Sequence, residues 1–342
     1  MSDRTPTLTD VARAAGVHFS TVSRVMNPAT RHKVSDEVAK RILAEAKRIG
    51  YRTNQAASTL RTRRSNIVGV VLPDITNAVF PPILLGIEEG LRKEGYLAIV
   101  VNVGVAPKEY RFVIERLLGQ QVDGLIIAAA RRQDPMIKHC VQQGFPVVAV
   151  NRSEETGLAS SVANDEMYGM RLAVEHLVKL GHKRIAHVAG PETISTGHLR
   201  RLGFLCAVEE MKLAGERCQV VEGAAYSREA GRQACLELFA LPGKRATAIV
   251  AGNDLLALGC YDALRELGLS CPGDVSVIGH NDMPLMDLVH PALTTIRIKH
   301  HQMGMEASRL MLQALGSGAP AVVDIRLKPE LIVRASCAAP KA

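Results

Sequence analysis

Ser20, Thr21, Ser23 and Arg24 put three hydroxyls and a guanidinium on one short stretch at helical spacing. On the outer face of a helix, such groups reach base edges and phosphates in a DNA major groove. Val22, Val25 and Met26 supply the opposite, apolar face. The plainer alternative is an ordinary small bundle with a solvated face. A second set of polar residues recurs farther along. Asp74, Thr76 and Asn77, then Asn151 and Arg152, then Asn253 and Asp254, then His280, Asn281 and Asp282 each follow an apolar run. Carboxylates and carboxamides placed this way can hydrogen-bond two neighbouring polar groups of one small molecule. Their plainer role is to cap the helix that follows. Arg152, with Arg131 and Arg132 after another run, is read as a solvated arginine, an anionic ligand being the alternative.

Chemistry of other kinds finds no residues to carry it. The sequence has no Gly-x-x-x-x-Gly-Lys-Ser/Thr, Gly-x-Gly-x-x-Gly, His-Glu-x-x-His or Gly-x-Ser-x-Gly. His300 and His301 are adjacent and point apart on a helix, so they do not make a metal pair. Seven scattered cysteines without a Cys-x-x-Cys argue against a disulfide framework or a zinc site, and for reduced thiols in a cytoplasm. No catalytic residue, metal or cofactor is expected. The N-terminus lacks the apolar core of a signal peptide. No apolar run approaches the ~20 residues that span a bilayer, so no membrane partner is expected.

The elements that must position these residues fall into two parts. The chain of 342 residues has a net charge of +8. Residues 1–66 hold 13 Lys and Arg against 5 Asp and Glu, a surplus equal to that of the whole chain. A basic head on a neutral body predicts a polyanion partner for the head alone. Thr9 is a candidate N-cap, with Asp10 in the first turn, Val11, Ala14 and Ala15 on the apolar face, and Gly16 at the end. A second helix starts near His18 and Phe19 and stops at Asn27-Pro28. A third opens at Ser35, with Val38, Ile42, Ala46 and Ile49 as its stripe. Small residues at the crossing let the first two approach closely, which is a helix-turn-helix arrangement. The segment Asn54–Arg61 is too short to be helical alone. It reads as a linker that orders on a partner, with Leu60 suited to wedge into a minor groove or else to pack on the body.

The body alternates apolar strands with amphipathic helices. Expected strands are Ile67–Leu72, Leu97–Asn102, Asp123–Ala128 and Val147–Val150. A second set is Arg184–Ala189, Gln219–Glu222, Ala248–Ala251 and Val275–Gly279, with Leu293–Ile296 and Leu331–Val333 in the tail. The pattern predicts two parallel sheets covered on both faces. In such sheets ligands bind beyond the strand C-termini, where the Asn and Asp residues recur.

Thr7-Leu-Thr-Asp-Val-Ala-Arg-Ala-Ala-Gly-Val17 and Ser20-Thr-Val-Ser-Arg-Val-Met-Asn27 resemble the headpiece of the lactose-repressor (LacI/GalR) family. Gly50-Tyr51, Asn54 and Leu60 continue the match. In the body, Val70–Asn77, Val174–His182, Arg200-x-x-Gly-Phe204, Asn253-Asp254, Gly279-x-Asn-Asp282 and Leu293–Ile296 resemble the same family and the related periplasmic sugar-binding proteins. The resemblance covers residues 7–334. It implies a three-helix headpiece (1–53), a hinge helix (54–65) and a core of two doubly wound parallel-sheet subdomains (66–342). The N-subdomain would span about 66–164 and 297–325, and the C-subdomain about 165–296 and 326–342. The DNA contacts it implies are Thr9, Phe19, Ser20, Thr21, Ser23, Arg24, Asn27, Asn54, Ala57 and Leu60. The effector contacts it implies are Val79, Phe80, Asn151, Arg200, Tyr226, Asn253 and Asn281. His18 stands where the family usually has a Ser N-cap, Thr53 where Pro is common, and Asn281 where sugar-binding members often have Asp.

The resemblance therefore implies a cytoplasmic, non-enzymatic transcriptional repressor. It would bind a palindromic double-stranded operator as a homodimer, under control of a sugar, sugar acid or other metabolite. The chain ends without a leucine heptad, so dimer is the expected state. The alternatives are a regulator answering to a protein partner and a small-molecule binding protein without a DNA role.

Overall fold

The computed structural model describes residues 6–51, 64–104, 107–213, 218–242, 245–316 and 321–341. The chain divides into two compact units, Met1–Ser65 and Asn66–Ala342. The expected hinge helix, with Asn54, Ala57 and Leu60, lies outside the described residues.

The first unit contains α1 (Leu8–Ala15), α2 (Phe19–Met26), the single turn α3 (Pro28–Arg31) and α4 (Asp36–Arg48). Thr7, not Thr9, caps α1. Its hydroxyl accepts from the Asp10 amide at 3.4 Å, and the Asp10 carboxylate accepts from the Thr7 amide at 2.8 Å. This reciprocal box fixes the start of the helix and leaves Thr9 exposed inside it. Gly16 ends α1 in the left-handed region, at φ 63°. The buried face of α1 is Val11, Ala12 and Ala15, and Ala14 faces solvent. Val22 and Val25 of α2 and Ala39, Ile42 and Ala46 of α4 close the core.

The second unit holds two six-stranded sheets. One contains β1 (Ile67–Leu72), β2 (Leu97–Asn102), β3 (Gly124–Ile127), β4 (Val147–Val150), β5 (Ser160–Asn164) and β11 (Asp324–Leu327), in the order β11-β5-β4-β3-β1-β2. The other contains β6 (Ile185–Ala189), β7 (Val220–Glu222), β8 (Ala248–Ala251), β9 (Ser276–Asn281), β10 (Thr294–Arg297) and β12 (Glu330–Ile332), in the order β12-β10-β9-β8-β6-β7. All pairings are parallel except β10 with β12, which are antiparallel at the edge. β5 and β11 escaped the sequence reading because Ser160-Ser-Val-Ala-Asn164 and Asp324-Ile-Arg-Leu327 lack a long apolar run.

The helices cover the sheets as βαβ crossovers require. They are α5 (Phe80–Lys93), α6 (Pro107–Gly119), α7 (Pro135–Gln142), α8 (Glu166–Lys179), α9 (Ser195–Glu210), α10 (Arg228–Ala240), α11 (Asp254–Glu266) and α12 (His300–Gly316). The last, α12, returns from the second sheet to the first and packs on α5. The contact is backbone to backbone: a Cβ on Gly86 would lie 2.2 Å from the His301 carbonyl oxygen, and one on Gly304 2.1 Å from that of Ile83. No helix of the described residues is long and apolar enough to cross a membrane.

Candidate functional site

In the first unit the candidate surface is the outer face of α2. His18 caps this helix, with Nδ1 accepting from the Ser20 amide at 3.4 Å and lying 2.9 Å from Ser20 Oγ. Imidazole thus does the work of the usual hydroxyl cap. Phe19 is 56% exposed although it is a large apolar side chain, and Arg24 is exposed as well. Ser20, Thr21, Ser23 and Asn27 are partly buried around them. Since Val22 and Val25 are buried, the helix has one face for the core and one for a partner.

In the second unit the candidate site is a cavity of about 300 Å³ at the C-terminal ends of both sheets. Val79, Phe80, Asn151, Arg200, Tyr226, Asn253 and Asn281 all line it. Val79 and Phe80 come from the start of α5, Asn151 from the end of β4, Arg200 from α9, Tyr226 from the segment before α10, Asn253 from the end of β8 and Asn281 from the end of β9. Three residues at these strand ends hold left-handed backbone: Asn151 at φ 66°, Asn281 at φ 114° and Asp282 at φ 53°. Each such conformation costs about 1–3 kcal/mol, and Asn and Asp tolerate it best among residues with a side chain. Asn253 also caps α11, its Oδ1 accepting from the Leu256 amide at 2.9 Å. There the helix-capping role and the lining role coexist.

Arg200 is the most heavily bonded of these side chains. Its Nε donates to Glu166 Oε2 at 2.6 Å and its Nη2 to Glu166 Oε1 at 3.1 Å. Nη1 donates to the Gly252 carbonyl at 2.7 Å, and Nη2 also to Asn281 Oδ1 at 3.2 Å. The two-pronged partner of Arg200 is therefore inside the protein. Burial pushes the Glu166 carboxyl up, but Arg200 and then His280 outweigh it and hold it at about 2. His280 Nε2 lies 3.1 Å from Glu166 Oε2. Burial and the Arg200 charge push this imidazole down to about 4, so it is neutral at pH 7. Next to the lining, Asp254 is fully buried and accepts from Thr295 Oγ1 at 2.5 Å and the Met283 amide at 2.7 Å. Burial still raises it to about 7, with Asp282 adding to the rise and the two hydrogen bonds opposing it.

Tyr226 lies under Arg200, whose Cζ is 5.8 Å from the ring centroid. The hydroxyls of Tyr226 and of Tyr110, which also lines the cavity, are buried, that of Tyr226 beside Thr196 and that of Tyr110 beside Asp134. Arg152 departs from the sequence expectation. It is only partly exposed and lines the cavity, with Nη1 donating at 2.9 Å to the carbonyls of both Ala129 and Ala130. Arg131 lines the cavity too, while Arg132 is paired with Glu155 at 2.9 Å. Sequence reasoning missed Glu166 and Tyr110. A lone Glu at a helix start and a Tyr on an amphipathic helix carry no spacing signal. Among the described residues, no group of three or more His, Cys, Asp or Glu is placed to hold a metal ion.

Comparison with known proteins finds relatives of both units. Residues 7–54 match the family model described as bacterial regulatory proteins, lacI family, and residues 174–337 match a periplasmic binding protein-like domain. The HTH-type transcriptional regulator MalR of Streptomyces coelicolor is 32% identical over 98% of this chain and 97% of its own length. The crystal structure of the lac repressor dimer bound to operator and the anti-inducer ONPF superposes with a TM-score of 0.87 at 29% identity, covering 98% of this chain and 100% of that one. A complex of the transcriptional regulator CelR with cellobiose superposes with a TM-score of 0.73 at 28% identity, over 97% and 99% of the two chains.

Proposed function

We propose, because this chain belongs to the LacI family of bacterial regulatory proteins, that it is a repressor holding a palindromic operator through two headpieces and releasing or gripping it as a small molecule fills the cleft. The family consists of transcriptional regulators rather than enzymes. The observation that carries the reading is the division of α2. Val22 and Val25 hold it in the core while Phe19 and Arg24 stand outward with Ser20 between them. The outward set reads bases in the major groove, and Leu60 enters the minor groove at the operator centre. Residues 1–53 form the reading module, 54–65 the hinge and 66–342 the effector-binding core.

The dimer is supported by apolar side chains left open on the second unit. Leu97 and Val100 are exposed on the edge strand β2, and Leu85 on α5. Leu285 and Leu288 are exposed in the loop after β9. A second copy would cover them. The effector is a sugar, sugar acid or similar metabolite, and it acts by binding one arrangement of the two sheets more tightly than the other. The working compartment is the bacterial cytoplasm.

The test is a mobility-shift assay with operator DNA and single substitutions. Arg24→Ala should cost about 1–3 kcal/mol and relax discrimination at one base position. Leu60→Ala should leave folding intact and weaken specific binding. Unchanged affinity and discrimination in both would overturn the reading.

A further inference from the structure

Two arginines of the cleft are in different electrical states. Arg200 is answered by Glu166 inside the protein. Arg152 has no carboxylate within ion-pair distance among the described residues. Its two bonds, from Nη1 to the Ala129 and Ala130 carbonyls, fix the guanidinium in place. They leave the N–H groups on Nε and Nη2 with no protein acceptor, on a side chain that lines the cavity. Burial lowers Arg152 to about 10, with Tyr226, Tyr110 and Asp134 opposing the fall and Arg131 adding to it, and it stays charged at pH 7.

The nearest acidic influence is the buried Asp134, which acts on Arg152 through space but forms no ion pair with it, its two oxygens accepting from the Arg131 and Met136 amides at 2.9 and 2.8 Å. Asp74 is the one acidic residue among the cavity's lining residues; it is exposed, and its Oδ1 already accepts from the amide and hydroxyl of Thr76 at 2.9 and 2.7 Å. Positions 151 and 281 are amides. The hydroxyls of a neutral sugar can accept from these N–H groups of Arg152 but leave the positive charge unbalanced. A carboxylate or phosphate would accept from the guanidinium in the planar geometry Arg favours.

We infer that the ligand of this cleft is a small polyhydroxylated oxyanion, a sugar acid or sugar phosphate, with its anionic group on Arg152 and its hydroxyls on Asn151, Asn253 and Asn281. This names the ligand class for the cleft and rests on the reading of the cleft as an effector site.

The test uses the full-length protein and matched trios: D-glucose, D-gluconate and D-glucose 6-phosphate, and the three corresponding galactose compounds. Thermal shift and calorimetry would give the affinities. At least one anion should bind about tenfold or more tightly than its neutral parent, a margin typical of one charge-assisted contact. Gluconate against glucose 6-phosphate separates the two sources of charge. Arg152→Gln, with an unchanged circular dichroism spectrum, should abolish the preference, and Arg152→Lys should keep part of it. A neutral parent that binds as tightly as its anions overturns the inference, as does an anion preference that Arg152→Gln retains. No binding by any of the six at about 10 mM, where even weak ligands stabilise measurably, also overturns it. Operator affinity with and without a small-molecule cell extract is a separate arm. A shift there keeps the effector reading alive whatever the trios do, and no shift there with no binding by any trio overturns both.

Discussion

Arg200 and Glu166 are joined by two hydrogen-bonded contacts, 2.6 Å from Nε to Oε2 and 3.1 Å from Nη2 to Oε1, with both side chains almost fully buried. Through Arg200 the pair also ties the end of β8, at the Gly252 carbonyl, to the end of β9, at Asn281. It is a fixed part of the cleft floor. An intact buried pair adds little net stability, but removing one partner leaves a bare charge in the interior. Glu166→Gln should therefore cost about 3–5 kcal/mol in urea unfolding. A loss below about 1 kcal/mol, the range of an exposed pair, would contradict this account of the cleft.

Asp254 gives the second prediction, a dependence on pH. Its folded pKa of about 7 lies above the ordinary 3.8, so the folded state holds the proton more tightly than the unfolded chain. The resulting stabilisation is complete below about 3.8 and is lost as pH rises through about 7. Glu166 has the opposite sign: its contribution is present above 4.5 and is lost as pH falls toward about 2. Comparing the wild type with Asp254→Asn isolates the first effect. The wild type should lose about 2–4 kcal/mol relative to the variant between about pH 4 and pH 8. The amide must turn an N–H toward one of two donors, so the difference in slope is the readout, and parallel pH profiles would refute it.

Gly86 and Gly304 give a packing prediction. A Cβ at either position would meet a backbone carbonyl of the opposing helix at little more than 2 Å. Backbone cannot rotate away as a side chain can, so α5 and α12 must separate. Gly86→Ala and Gly304→Ala should each cost about 1–3 kcal/mol or more. Melting temperatures within a degree of the wild type would show that the contact is looser than described.

Thr7 and Thr9 make a paired test in the first unit. Thr7→Ala removes the box with Asp10 and should cost about 1 kcal/mol locally, read as faster amide exchange in α1 of the full chain. Thr9→Ala should leave that exchange unchanged. Equal effects would restore Thr9 as the cap.

The sequence carried the architecture wherever apolar runs were long. Ile67-Val-Gly-Val-Val-Leu72 announces a buried strand in any context. Ser160–Asn164 and Asp324–Leu327 do not, because pairing in the sheet, β5 between β4 and β11 and β11 at the edge, makes them strands without a long apolar run. The cap moved by two residues because Asp10 suits a first turn from either start, and only the reciprocal bonds decide between Thr7 and Thr9. The cleft was legible as Asn and Asp recurring after strands. The partner of Arg200 was not, since Glu166 is 34 residues away and looks like any first-turn acid. Nor was the state of Arg152 legible, because a guanidinium bound to carbonyls and one in water have the same sequence.

The claim on which the rest depends is that the first unit reads DNA as a symmetric pair. It is tested by selecting binding sites for the full-length protein from a random duplex pool, then measuring the affinity of the selected duplex as salt is raised. The account predicts an inverted repeat and a log–log salt slope of about −5 to −9, as for some 6–10 neutralised phosphates. A pool that enriches no sequence, or a slope near zero, would contradict it.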